Sequence, residues 1–135
     1  MTMSDWILKR ALPEAGARFG ELVKELAETQ KPRLALAEIN DFLFGLTKRQ
    51  LEIAVELGPD RTLDDFFANY LAAMVETVCA MNGVAVPAWT RHIKPLQKPR
   101  FNSDLAGLRL HLLLASPPPF RNRNIFIDAS IGDRV

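Results

Sequence analysis

One cysteine, two histidines and one tyrosine among 135 residues leave this chain with little of what most covalent and metal chemistry draws on. A lone Cys79 cannot form an intramolecular disulfide, so the core does not depend on oxidation and a reducing compartment, the cytoplasm, is expected. No apolar run approaches the roughly 20 residues that span a bilayer. The stretch Met1 to Arg10 carries Asp5, Lys9 and Arg10 where a signal peptide has its apolar centre. Neither a membrane partner nor secretion is expected. The sequence has no glycine-rich phosphate loop and no G-x-S-x-G nucleophile motif. His92, His111 and Cys79 are the only good soft or borderline metal ligands, and none is spaced to bring a second one close, so no metal site and no cofactor are expected.

Charge of one sign is also lacking. The net charge is +1, which argues against attraction of the whole molecule to nucleic acid. The distribution is less even. Residues 1–86 hold nine Lys or Arg against thirteen Asp or Glu, a balance of −4, and residues 87–135 hold eight against three, a balance of +5. Such asymmetry marks either an interaction surface or an ordinary solvated stretch.

What the chain has in quantity is apolar material, 48% of its residues, enough for one domain with its own core. Helical spacing is the dominant pattern. Phe19, Leu22, Val23 and Leu26 predict a helix from about Pro13 to Thr29, preceded by a short helix bearing Trp6 and Ile7 that Pro13 interrupts. Pro32 opens another, with Leu36, Ile39 and Leu43 on one face and Gly45 as its stop. Thr47-Lys48-Arg49-Gln50 reads as a capping box, with Leu46 and Leu51 at staple positions, and that helix should run to Gly58-Pro59. Thr62-Leu63-Asp64-Asp65 repeats the capping logic. Phe67, Tyr70 or Leu71, Met74, Val78 and Met81 then form the longest apolar stripe, ending at Asn82-Gly83. This helix is the expected centre of the core.

After Gly83, Pro87, Pro95 and Pro99 predict an ordered but irregular connection, pinned to the body by Trp89. Leu105, Leu108, Leu112 and Ala115 predict one more helix, capped at Asn102 or Ser103 and stopped at Ser116-Pro117. Pro117 to Ile127 should be extended, polyproline-like and then a short strand. The expected fold is all-α: a compact bundle of about five to six helices, residues 1–116, with an irregular Pro-rich connection and an extended C-terminal arm, residues 117–135, in the same single domain.

Catalysis has no positive sign. Asp64-Asp65 is a carboxylate pair, but both fall in a helix's first turn, where the dipole favours negative charge, and Cys79 suits a small buried hydrophobe. An assembled site of Asp64, Asp65, His92 and His111 is the enzymatic alternative. Two stretches remain as binding candidates. Arg91, His92, Lys94, Lys98 and Arg100, flanked by Trp89 and Phe101, have the composition of a phosphate-contacting loop, so Arg91, Lys94, Lys98 and Arg100 are candidates for nucleic acid. In the arm, Phe120 and Phe126 are candidate anchors on a protein partner, with Arg121, Arg123 and Asn124 as polar contacts, the arginines suited to bidentate carboxylate pairing. Alternatively, the arm wraps back and completes the core of its own domain.

Pro87-Ala88-Trp89-Thr90, a Leu-rich helix, and Ala115-Ser116-Pro117-Pro118-Pro119-Phe120-Arg121-Asn122-Arg123-Asn124-Ile125-Phe126-Ile127 follow in that order. The order resembles the C-terminal half of a bacterial antitoxin-like helix-turn-helix regulator family, in which a PAW-type motif precedes a terminal S-P-x-x-F-R-x-R-x-I-F segment. The resemblance covers residues 35–135. It implies a regulator that binds and neutralises a partner protein, a nucleotidyltransferase-type toxin encoded nearby, through its C-terminal region, and such proteins are often homodimers. Residues 1–34 are too short for the family's full DNA-binding domain. Leu34 to Val55 offers two helices joined by Gly45-Leu46, compatible with helix-turn-helix geometry and with a DNA-binding regulator as the alternative, although Phe42, Leu43 and Phe44 suit burial better than groove contact.

Overall fold

Apolar residues spaced three and four apart favour helices, and helices account for most of the computed structural model, which describes residues 3–59, 62–101 and 116–127. The fold is all-α, with five α-helices and one 3-10 helix among the described residues. The helix predicted around Leu105 to Ala115 lies outside them, as do His111 and residues 128–135 of the arm.

Helix α1 (Met3–Glu28) buries Phe19, Leu22, Val23 and Leu26 along one face. The expected break at Pro13 is absent: α1 passes straight through it. One proline removes a single backbone bond, and the surrounding Ala11, Leu12, Glu14 and Ala15 are strong helix formers. Helix α2 (Pro32–Phe44) begins with Pro32 in its first turn and ends before Gly45, burying Leu36, Ile39 and Leu43. Helix α3 (Lys48–Ala54) starts on the predicted capping box: the Gln50 amide donates to Thr47 Oγ1 at 3.2 Å, and the Thr47 amide donates to Gln50 Oε1 at 2.9 Å. It stops at Ala54, short of the expected Gly58, and the residues that follow form a seat for Trp89.

Helix α4 (Asp65–Asn82) is the central element, as its stripe predicts. Leu71, Ala72, Ala73, Met74, Val75, Val78 and Cys79 are all essentially inaccessible, so it is enclosed on nearly every side. Its cap is Asp64, not Thr62: the Asp64 carboxylate accepts from the Phe67 amide at 2.8 Å. Met81, expected on the stripe, is 65% exposed. Gly83 takes the left-handed conformation (φ 65°) that closes the helix, and the Val84 amide donates to Cys79 O at 2.9 Å. Helix α1 packs on α2 and α3, and α4 packs on α2 and on the C-terminal elements.

Beyond α4 comes a 3-10 helix, Ala88–His92, capped by Pro87. Where polyproline geometry is predicted, Pro118–Arg121 instead forms one helical turn, α5. A helix's first turn needs no amide donors, so consecutive prolines fit it, and the Asn122 amide closes the turn on Pro118 O at 2.8 Å. The predicted strand follows. Strands β1 (Arg100–Phe101) and β2 (Ile125–Phe126) pair in parallel, Arg100 opposite Ile125 and Phe101 opposite Phe126. Phe120, Ile125, Phe126 and Ile127 are buried, so residues 116–127 complete the core of their own domain.

Candidate functional site

Arg123 is the organising residue of the C-terminal region. It is 6% exposed, and a guanidinium so deeply placed needs acceptors for its donors. It has four. Nε donates to Glu76 Oε1 at 2.7 Å, Nη1 to Asn69 Oδ1 at 2.9 Å and to Ile93 O at 3.0 Å, and Nη2 to Thr90 O at 2.6 Å. One side chain therefore ties α5 and β2 to the middle of α4 and to the 3-10 helix. Asn69 relays the tie, its amide donating to Asp65 O and to Lys94 O, both at 2.9 Å.

The neighbouring residues continue the fastening. Asn124 sits at φ 62°, a left-handed position that asparagine tolerates, and this turn aims β2 at β1. Its carbonyl accepts from the Arg100 amide at 2.8 Å, and its side-chain amide donates to Leu96 O. Ser116 closes the loop from the other end: Oγ donates to Ile127 O and accepts from the Ile127 amide, both at 2.9 Å. Phe120 is fully buried, edge-on to Tyr70 with ring centroids 5.1 Å apart. Of the five arm residues expected on a partner, Phe120, Arg123, Asn124 and Phe126 are therefore engaged by their own chain. Arg121 is exposed.

The basic stretch lies around this clasp. The side chains of Arg91, Lys94, Lys98 and Arg100 are all exposed, whereas its aromatic neighbour Trp89 points inward, its indole N–H donating to Val55 O at 2.8 Å. The Arg100 guanidinium carbon lies 4.2 Å from the centroid of the Phe66 ring.

The other residues considered for chemistry hold structural or surface positions. Asp64 caps α4, Asp65 begins it, and His92 is exposed at the end of the 3-10 helix. Burial, with a smaller contribution from Glu76, pushes the Cys79 thiol up to about 11, so it stays protonated at neutral pH. Among the described residues no group of three or more His, Cys, Asp or Glu is placed to hold a metal ion. In the candidate helix-turn-helix, Leu43 is fully buried and Phe42 and Phe44 pack against the core, while Lys48 and Arg49 are exposed at the start of α3.

Asn69 and Glu76 are the residues that sequence reasoning missed. They stand seven apart, on one face of a mostly apolar helix, and two polar groups in such a position call for a buried counterpart. No family model, curated protein or solved structure matches the chain. Among the described residues no helix is long and apolar enough to cross a membrane.

Proposed function

We propose that the chain is an antitoxin-like regulatory interaction protein, with no catalytic activity of its own, whose C-terminal region binds and neutralises a partner protein in the cytoplasm. The partner is a nucleotidyltransferase-type toxin encoded nearby. The observation that carries this reading is the meeting of the two segments on which the family resemblance rests. Thr90, next to the PAW-type motif, and Arg123 of the terminal motif lie 33 residues apart and are joined through a 2.6 Å hydrogen bond. Two motifs that build one rigid unit behave as a single recognition module, with the arm as its frame.

The test is co-expression of the full chain with the product of the adjacent reading frame. A stable complex on size exclusion, together with relief of growth arrest, is the expected result. Two separate peaks and unrelieved arrest would refute the reading.

A further inference from the structure

Five cations stand on the two segments that build the Arg123 clasp, residues 90–100 and α5, without taking part in it through their side chains. Arg91, Lys94, Lys98, Arg100 and Arg121 are exposed, and among the described residues none of them forms an ion pair. Their backbone is not free. Thr90 O and Ile93 O accept from the Arg123 guanidinium and Lys94 O from Asn69, the Leu96 amide donates to Arg123 O, and the Arg100 amide donates to Asn124 O. Segment 90–100 is thus curled around residues 123–124 and fastened at several points by its main chain, which leaves the charged side chains outside. A backbone held in this way has little freedom left to lose on binding, so the ordering cost falls on the side chains alone.

We infer that this cationic ledge is the docking surface of the protein and that its occupant is a carboxylate-rich face of a partner protein. The inference deepens the function proposed above and rests on it for the partner being a protein. Three of the five cations are arginines, whose planar donors match carboxylates in pairs. The Phe66 ring supports the face of the Arg100 guanidinium and leaves its edge donors available. Nucleic acid is the poorer fit on two grounds. Single-strand binders stack bases on exposed aromatics, and here the Trp89 indole is turned onto Val55 and Gly58 while Arg100 covers Phe66. Long polyanions would also extend past the ledge onto a molecule whose residues 1–86 carry a balance of −4.

The test compares the native chain with a variant carrying Arg91→Gln, Lys94→Gln, Lys98→Gln, Arg100→Gln and Arg121→Gln, whose retained fold is checked by its melting curve. Hexaglutamate peptide at low salt should shift the amide resonances of residues 91–100 and Arg121 in the native chain and not in the variant. Affinity for the toxin partner should fall at least about tenfold in the variant, as expected from losing several exposed charge pairs. Undiminished partner binding by the variant would overturn the ledge as the interface while leaving the proposed function standing. Peptide shifts that map to the ledge when no partner complex forms would support the ledge and count against that function. Tighter binding of a DNA duplex than of the peptide at the same residues would overturn the choice of occupant.

Discussion

Gly58 lies directly under the indole of Trp89: a Cβ built on Gly58 would sit 2.8 Å from Trp89 Cγ. The close approach is what requires glycine here, and Val55 O, which Pro59 has no amide to reach, accepts from the indole N–H instead. Gly58→Ala should push the indole off its seat and cost about 1–3 kcal/mol, the usual penalty for overpacking. Urea unfolding with tryptophan fluorescence reads both effects. A variant as stable as the native chain, with unshifted emission, would show that the contact is not constraining.

Arg123→Met should be among the most damaging single changes, because it leaves Glu76, Asn69 and two carbonyls without their donor, a loss of about 3–5 kcal/mol. Arg123→Lys should rescue little, since one ammonium cannot span acceptors on α4 and at the middle and C-terminal end of the 3-10 helix. Adding Glu76→Gln to Arg123→Met should recover about 1 kcal/mol by removing the stranded carboxylate. A double-mutant cycle by denaturant melts checks this, with strict additivity as the contrary result.

Removal of residues 117–135 should abolish the native fold. The cut takes away Phe120, Ile125 and Ile127 from the core together with the Arg123 network. Far-ultraviolet circular dichroism and a cooperative melt decide it. A truncated chain that still melts sharply near the native temperature would mean that the helical body is self-sufficient.

The helices were readable wherever local chemistry sets them. The Thr47–Gln50 box, the Pro32 start, the Gly83 stop and the α4 stripe depend on neighbours within a turn, and all four are in the structure. Misreadings arose mostly where distant residues decide. Pro118 and Pro119 join a helical turn whose Phe120 is drawn into the core, whereas Pro13 is absorbed locally, by the helix formers on either side of it. The arm's Phe and Arg residues have the composition of an interface, and only the position of Asn69 and Glu76 across the bundle turns Arg123 inward. Both stretches of interest were found from composition. Their division of labour, one clasping and the other facing out, depends on pairings 25 to 54 residues apart that no local pattern encodes.

Stability should decline above pH 9. The Cys79 thiol, whose ordinary value is 9.0, is raised by burial and by Glu76 to about 11 in the folded chain. Below pH 9 both states keep the proton and stability is unaffected. Between pH 9 and 11 the unfolded chain loses it first, which favours unfolding. Tyr70, also raised by burial, acts in the same direction. Cys79→Ala should flatten part of this alkaline decline in urea midpoints measured across the range. The same burial should keep native Cys79 unreactive toward iodoacetamide at pH 8 until denaturant is added.

The acceptors of Arg123 precede it by 30 to 54 residues. During synthesis, α4 therefore leaves the ribosome with Asn69 and Glu76 unsatisfied and waits for its counterpart, a delay of seconds at the roughly 5–20 residues per second of translation. Nascent chains shorter than about 127 residues carry an open seam along their central helix. A premature stop or a nick before Arg123 would leave Asn69 and Glu76 without their partner and present an open seam to chaperones and proteases.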